Sequence, residues 1–358
     1  MEPVYVISMD AHCKFTEFFI STPGGKPSRR GRTPTTLPAL REIVQSVRRP
    51  RHVVFEEGQL ADWMYRGLLS DAECVVACDP RRNALIAKQG DKDDPIDAEK
   101  LNQLYRGGFT QAVHHPESFK RAAFKRLVVS YHETVKRRSR LINSTLAKFR
   151  WNGIFVKQRD LSATRQKATL GRLPDCRMIR TPVELLLDQI DLAERHIERL
   201  LRMVTHEARE SDPIRRLLEV PGIRWIRAAT FVAYIDTPWR FRGKSALFKY
   251  MGIGLERRTS GGERPLVRVV PSFRVCRALK NMILGAAGTV ILMKQEPFYQ
   301  EYRRWCVNGL TLRNARRTLA RRLAGVLWGM LKSGDVYHPE LVGGPSAGGE
   351  RIAAAMDG

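Results

Sequence analysis

Val4-Tyr5-Val6-Ile7-Ser8-Met9-Asp10 is an apolar strand-forming run that ends on a carboxylate, and its reading decides the fold. A short turn, Ala11 to Lys14, leads to a second β-rich run, Phe15 to Ile20, so the two predict a hairpin. Pro23-Gly24-Gly25 and the basic segment that follows to Pro34 predict a loop. Leu37 to Val47 has helical spacing, and His52-Val53-Val54-Phe55 is another strand run, closing on Glu56-Glu57-Gly58. Leu60, Trp63, Met64 and Leu68 make an apolar helical stripe, and Cys74-Val75-Val76-Ala77-Cys78 predicts a buried strand. Strands alternating with helices imply a central sheet covered by helices, an α/β domain.

Asp10 and Glu56 would both emerge at strand ends. Asp94-Pro95-Ile96-Asp97 opens a helix through Ala98-Glu99-Lys100-Leu101, with Asp94 and Asp97 three apart on one face. Each piece has an ordinary structural explanation. Asp at N-cap, Pro at N1 and an acid at N3 is a well-capped helix start. Asp10 alone would be a strand-end turn residue, and Glu56-Glu57 an acid pair favoured by a helix macrodipole. The order strand–Asp, strand–Glu, helix with Asp-x-x-Asp is what distinguishes the set. Four carboxylates meeting at one point repel one another unless divalent cations sit among them. Hard cations with carboxylate and water ligands, Mg2+ or Mn2+, are what phosphoryl transfer uses. This is the arrangement of an RNase H-like (RuvC-type) nuclease core.

The remaining sequence says what such a core would meet. The 358 residues imply two or three domains at roughly 100–200 residues each. Lys and Arg number 62 against 37 acids, a net +25, which on a folded chain points to a polyanion, nucleic acid before membrane. The longest apolar run, Ile283 to Met293, is too short to span a bilayer. Met1-Glu2-Pro3 followed by a strand lacks the regions of a signal peptide. Cys13, Cys74, Cys78, Cys176, Cys276 and Cys306 follow no paired spacing, and free thiols in a cytoplasmic protein are expected.

Beyond Pro116 long helices take over. Residues 119–150 carry ten Lys/Arg and one acid, Glu133, a one-sidedness that suits phosphates. Val183, Leu186, Ile190, Ala193, Ile197, Leu200 and Val204 alternate three and four apart, a heptad seam flanked by Glu184, Asp188, Asp191, Glu194 and Glu198. It predicts either a core helix or a self-associating coiled coil. Leu217 to Ile223 passes through Pro221-Gly222 into the small-residue helix Ala228 to Ala233, a helix–turn–helix hairpin able to present N–H groups to phosphate. Arg257-Arg258-Thr259-Ser260-Gly261-Gly262 precedes a helix from Ala278 to Met293. Residues 303–322 then hold seven Arg and no acid, and the Gly/Ala/Ser-rich tail after Gly343 predicts flexibility. His12, His114, His115 and His132 are expected to be solvent-facing or structural. Trp151, Trp225, Trp239, Trp305 and Trp328 are expected in core or interface positions.

Taken in order, Ser-Met-Asp10, Val-Val-Phe-Glu56-Glu-Gly, Asp-Asp94-Pro-Ile-Asp97-Ala-Glu-Lys-Leu, Val-Pro221-Gly-Ile, Tyr250-Met-Gly-Ile-Gly254-Leu and Thr-Ser260-Gly-Gly make the chain resemble a known family, to about Pro339. It resembles the DEDD-type transposases of bacterial insertion sequences, the bridge-RNA-guided serine recombinases. The resemblance implies a RuvC-like domain with a basic helical extension over 1–158, a helical coiled-coil linker over 159–211, a mainly α transposase domain with a helix-hairpin-helix-like segment over 212–340, and a tail over 341–358. It implies that Asp10, Glu56, Asp94 and Asp97 bind metal and that Ser260 is the nucleophile, taking a DNA strand as a phosphoserine. Donor and target DNA, a guide RNA and a homo-oligomer, dimer or tetramer, are the implied partners. The family's Glu-x-x-Gly is one residue shorter here, so Glu56 fits with Glu57 as the alternative. Arg224 stands where the family's hairpin has a second Gly. Serine needs activation to attack, and no base stands near Ser260 in sequence; metal-bound acids brought to it, from another subunit through the coiled coil, would supply that activation. Arg257, Arg258, Arg264 and Arg268 would attract the scissile phosphate. Two other functions fit the same residues: a metal-dependent junction-resolving nuclease, and a non-catalytic RNA-binding protein whose acids are helix caps.

Overall fold

The computed structural model describes residues 3–80, 94–259, 267–271 and 275–342, with the backbone alone at 94–96, 256–259 and 267–271. The chain divides into two compact units, Met1–Ala122 and Ala123–Gly358.

The first unit is built from β1 (Tyr5–Ala11), β2 (Phe15–Ser21), β3 (Pro27–Pro34), α1 (Leu37–Gln45), β4 (Arg51–Glu56), α2 (Ala61–Leu68), β5 (Cys74–Cys78), α3 (Asp94–Arg106) and β6 (Ala112–Val113). They form a mixed sheet in the order β3-β2-β1-β4-β5-β6. β1, β2 and β3 run as an antiparallel meander, β4 and β5 lie parallel in sequence beside β1, and β6 closes antiparallel to β5. Strand alternation sorts the side chains between two layers. Ile7, Met9, Phe18, Val53 and Phe55 pack with Leu40 and Val44 of α1 and with Met64 and Leu68 of α2. On the other face Val4, Val6, Val54 and Cys78 pack with Leu101 of α3.

The basic segment expected as a loop is the edge strand β3. Its backbone pairs with β2 from Phe15↔Pro34 to Ser21↔Pro27. Ser28, Arg29, Arg30 and Arg32 are exposed, so there is no apolar alternation to read. Arginines on an edge also keep it from pairing with other chains. Two of them cover aromatic rings of β2: Arg32 lies 4.1 Å from the Phe15 centroid and Arg29 lies 5.2 Å from that of Phe18.

The second unit is mainly helical. It comprises α4 (Phe119–Trp151, which opens just before the division), α5 (Gln166–Leu170), α6 (Arg177–Arg209), α7 (Asp212–Leu217), α8 (Trp225–Ile235), α9 (Lys244–Tyr250), the hairpin β7 (Leu255–Thr259) and β8 (Val267–Pro271), α10 (Arg277–Leu292), α11 (Phe298–Val307) and α12 (Leu312–Ser333). Phe231, Leu247, Ile283, Ala286, Leu319, Leu323 and Leu327 centre its core. Val128 of the basic helix α4 is buried in that core, with Phe124 and Leu127 packed against it. α4 thus carries an apolar stripe of its own into the helical core. The arginine-rich stretch 303–322 is two helices, broken at Gly309.

The heptad helix α6 is buried in part by its own chain. Val183, Leu187 and Ile190 join Ile142, Phe149, Leu161 and Leu173 in a second core, while Val204 and Ala208 join the main one. Its Met178, Leu185, Leu192 and Met203 remain exposed. No helix among the described residues is long and apolar enough to cross a membrane, and all six cysteines are free thiols.

Candidate functional site

The sheet of the first unit places two of the expected acids side by side. β1 and β4 are parallel with Met9 opposite Phe55, so the next residues, Asp10 and Glu56, continue the two strands at the same edge. Met9 and Phe55 are buried on the α1/α2 side, and alternation puts Asp10 and Glu56 on the α3 side. Glu56 is opposite Cys78 of β5, which is in the α3 layer; burial pushes the Cys78 thiol up to about 11, with the Glu56 charge adding to it. Glu57 goes elsewhere. Its carboxylate lies 2.7 Å from Nε2 of the buried His115, whose Nδ1 is 3.5 Å from Asp62.

The direction of α3 comes from two residues that sequence reading passed over. Asn102, 1% exposed, donates from Nδ2 to the Val6 carbonyl (3.0 Å) and to Ser8 Oγ (3.2 Å), and its Oδ1 accepts from Ser21 Oγ (2.7 Å). One turn on, the Arg106 guanidinium donates to the carbonyls of Val4 and Thr22 and to Ser21 Oγ. α3 thus runs antiparallel to β1, with its C-terminus at the start of that strand. Its N-terminus, bearing Asp94 and Asp97, lies toward the edge where Asp10 and Glu56 emerge. Asp97 is exposed and has Lys100 Nζ at 4.0 Å. The Asp94 side chain lies outside the described residues.

Two further groups stand at this edge. His12 Nε2 is 3.1 Å from Asp10 Oδ2, so this imidazole touches an expected ligand. Glu17 of β2, 6% exposed, is directly opposite Asp10 and is ion-paired with Arg32 of β3. Sequence pattern could have found Glu17 only if the register of the hairpin were known. Carboxylate oxygens are the donors that Mg2+ or Mn2+ takes, and this edge supplies them. Among the described residues no three His, Cys, Asp or Glu side chains stand close enough together to hold an ion.

In the second unit the Pro221-Gly222 hairpin between α7 and α8 turns inward. Gly222 has φ +77°, and a Cβ there would meet the Ala286 carbonyl of α10 at 2.7 Å and Val290 at 2.9 Å. The close approach that this glycine permits is to α10. Arg227 Nη1 donates to the Gly222 carbonyl, and burial lowers the pKa of that guanidinium. Gly252 has φ +70° with Val275 2.7 Å from its would-be Cβ, which fixes the turn out of α9 into β7. Ser260 follows β7 directly; it and Arg264 lie outside the described residues, as do the side chains of Arg257, Arg258 and Arg268.

Several cations expected to face nucleic acid also donate to oxygens of their own chain, Arg316 while remaining exposed. Arg316 donates to the Leu284 carbonyl (2.8 Å), Arg321 to Thr318 Oγ1 (3.0 Å) and Arg322 to the Val342 carbonyl (2.7 Å). Arg322 also sits 3.4 Å from the buried Glu301, whose pKa burial raises. Arg303, Arg304 and Arg313 are exposed. His132 is structural, with Nε2 2.8 Å from Thr230 Oγ1. Trp328 is buried, whereas Trp151 and Trp239 are 78% and 68% exposed and so are not core residues.

The match to a known family falls on the second unit. Residues 214–303, α7 to α11, match the family described as Transposase IS116/IS110/IS902. Over 263 residues, 70% of this chain and 75% of the relative, the sequence is 24% identical to a "Probable family 20 transposase" of Pseudomonas aeruginosa. The matched span includes the packed Gly222 hairpin, the Gly252 turn and Ser260. Beside an α/β unit that sets Asp10 and Glu56 on adjacent strands at one sheet edge, the chain thus carries a segment similar to the Transposase IS116/IS110/IS902 family.

Proposed function

We propose that the protein is a transposase that cuts and rejoins DNA through a covalent serine–DNA intermediate on Ser260, assisted by a carboxylate site on Asp10, Glu56, Asp94 and Asp97 and directed by a guide RNA. The observation that carries it is the strand order. A three-stranded antiparallel meander with β4 and β5 added parallel, acids ending β1 and β4, and α3 crossing with its acidic N-terminus at that edge is what an RNase H-like nuclease core requires. It stands in one chain with the transposase domain.

Ser260 Oγ would attack a backbone phosphorus. The new P–Oγ bond replaces one P–O bond to deoxyribose, the hydroxyl proton leaves, and the departing sugar oxygen takes one up. One phosphodiester replaces another, so the strand can be rejoined without an external energy source. A divalent cation, when bound, supplies charge stabilisation of the attacking and leaving oxygens. Asp10 and Glu56 hold two carboxylates on adjacent strands, and the Asn102 and Arg106 bonds set where α3 delivers the other two. The +25 net charge suits two polyanions, DNA and RNA. Oligomerisation through α6 would use the exposed stripe of Met178, Leu185, Leu192 and Met203, since Val183, Ile190 and Val204 of the heptad seam are buried within the chain.

Denaturing gels with end-labelled DNA test the chemistry. A protein–DNA adduct is expected with the native chain, absent in Ser260→Ala. Full cleavage by that variant would favour instead a junction-resolving nuclease using the four acids and water. Asp94→Asn with Asp97→Asn should abolish cleavage; retained nucleic-acid binding without any effect on function would mark the acids as helix caps.

A further inference from the structure

Residues 148–172 hold seven cations (Lys148, Arg150, Lys157, Arg159, Arg165, Lys167 and Arg172) and one acid, Asp160. Asp160 is already committed: it accepts the Lys157 N–H at 2.8 Å and pairs with Arg159 and Arg165 at 3.9 and 3.6 Å. Among these charges stand two large aromatic rings left in solvent, Trp151 at 78% and Phe155 at 79% exposure.

Local structure holds them outward. Trp151 is the last residue of α4, and Lys148 Nζ lies 5.1 Å over its ring. Gly153, at φ +70°, turns the chain, and the segment beyond it alternates: Ile154 and Val156 pack into the core of Ile142, Phe149 and Leu161, so Phe155 between them faces out. Arg172 donates to the Phe155 carbonyl at 3.3 Å and ties that position down. Next to this segment an open cleft of about 450 Å³ has an apolar floor of Ile142, Leu161 and Ile190 and polar walls that include Gln158, Arg159 and Glu194. Sites for small ligands are about 300–1,000 Å³ and combine an apolar lining with a few polar groups, a description that fits a nucleobase.

Exposed aromatic faces interleaved with cations match one chemistry in particular, an unpaired nucleic-acid strand. Bases stack on the rings and phosphates meet the charges, whereas a duplex keeps its base faces hidden. We propose that residues 148–172 bind an unpaired DNA strand, with Trp151 and Phe155 as stacking platforms and Lys148, Lys157, Arg159 and Arg172 on the phosphates. The choice of DNA rests on the transposase reading, because strand exchange exposes unpaired DNA.

Fluorescence anisotropy on the full chain tests this with a labelled oligothymidylate of about 12 nucleotides, the span of one such site. Parallel arms use a duplex of mixed sequence and an oligouridylate of equal length. Trp151→Ala and Phe155→Ala should each weaken binding of the single DNA strand about fivefold or more, Trp151→Phe should restore most of it, and duplex affinity should not move. Both rings are already in solvent, so neither change removes core packing. Equal losses on strand and duplex, or no loss, overturns the proposal. So does a larger loss on the RNA than on the DNA strand, or a change in oligomeric state on sedimentation without a change in binding. Failure of the transposase reading is distinct: the native chain would then bind neither duplex nor strand beyond the steeply salt-dependent background.

Discussion

Replacing Gly222 by alanine separates two explanations of the Pro-Gly hairpin, packing and ligand approach. A left-handed backbone costs an alanine about 1–2 kcal/mol. Its Cβ would stand 2.7 Å from the Ala286 carbonyl and 2.9 Å from Val290 Cγ2, and the first of these is helical backbone that cannot swing aside. Forcing such atoms apart costs about 1–3 kcal/mol, as overpacked cores do. The two together give roughly 2–5 kcal/mol. For a unit of this size each kcal/mol lowers the thermal midpoint by about 2–4 °C, so a fall of about 10 °C is central to the range. Thermal unfolding followed by circular dichroism measures it, with DNA affinity taken well below the new midpoint. The expected result is a large loss of stability with near-native affinity and salt dependence. A native midpoint with weakened binding and a shallower salt slope would show that Gly222 meets phosphate, and the packing argument would fail.

Two other outcomes test the neighbouring links. Asn102→Ala removes three hydrogen bonds from a residue buried between α3 and β1, which should lower stability by about 1–3 kcal/mol. Because Asn102 positions α3 and holds no ion itself, its cleavage defect should be partly recovered by raising Mg2+, whereas that of Asp10→Asn should not; equal recovery would remove the positioning role. His132 sets a pH dependence. Burial lowers its pKa below the ordinary 6.5, so the folded chain keeps it neutral while the unfolded chain takes up a proton. Its contribution to stability is therefore complete above pH 6.5 and is lost as pH falls through 6.5 toward the lowered value. His132→Gln should flatten that part of the stability–pH curve; an unchanged slope would show that His132 is not its source.

Local pattern was enough for much of the first unit. Val4 to Asp10, Phe15 to Ile20, His52 to Glu56 and Cys74 to Cys78 announced themselves because buried strands need apolar side chains, and those strands appear within a residue or two of where pattern put them. The same holds for the helix opening at Asp94, whose capping pattern is local chemistry. β3 was illegible because an edge strand is held by backbone pairing to β2, and backbone hydrogen bonds leave no mark in side-chain sequence. Long-range questions fared likewise. Whether Glu56 or Glu57 joins Asp10 on one face depends on the parallel register of β4 against β1 and on His115, 58 residues away in sequence, which holds Glu57.

In the second unit, charge and hydrophobicity were visible as amounts, and tertiary structure decided what each was for. Arg316 and Arg322 look identical in sequence to Arg303 and Arg313, yet the carbonyls of Leu284 and Val342, brought up by folding, accept from them. Trp328 and Trp151 are the same residue type, one closed over by the core and the other left on the surface beside Lys148. The heptad of α6 specified a helix with an apolar stripe, and only the placement of Phe149, Leu161 and Leu173 determined that part of the stripe is covered by its own chain. Sequence by itself determined composition, periodicity and capping, all interactions within a few residues, and so the elements and the order of the acids along them. Register, the direction of α3 and the partners of each charge belong to contacts between distant segments, and those exist only once the chain has folded.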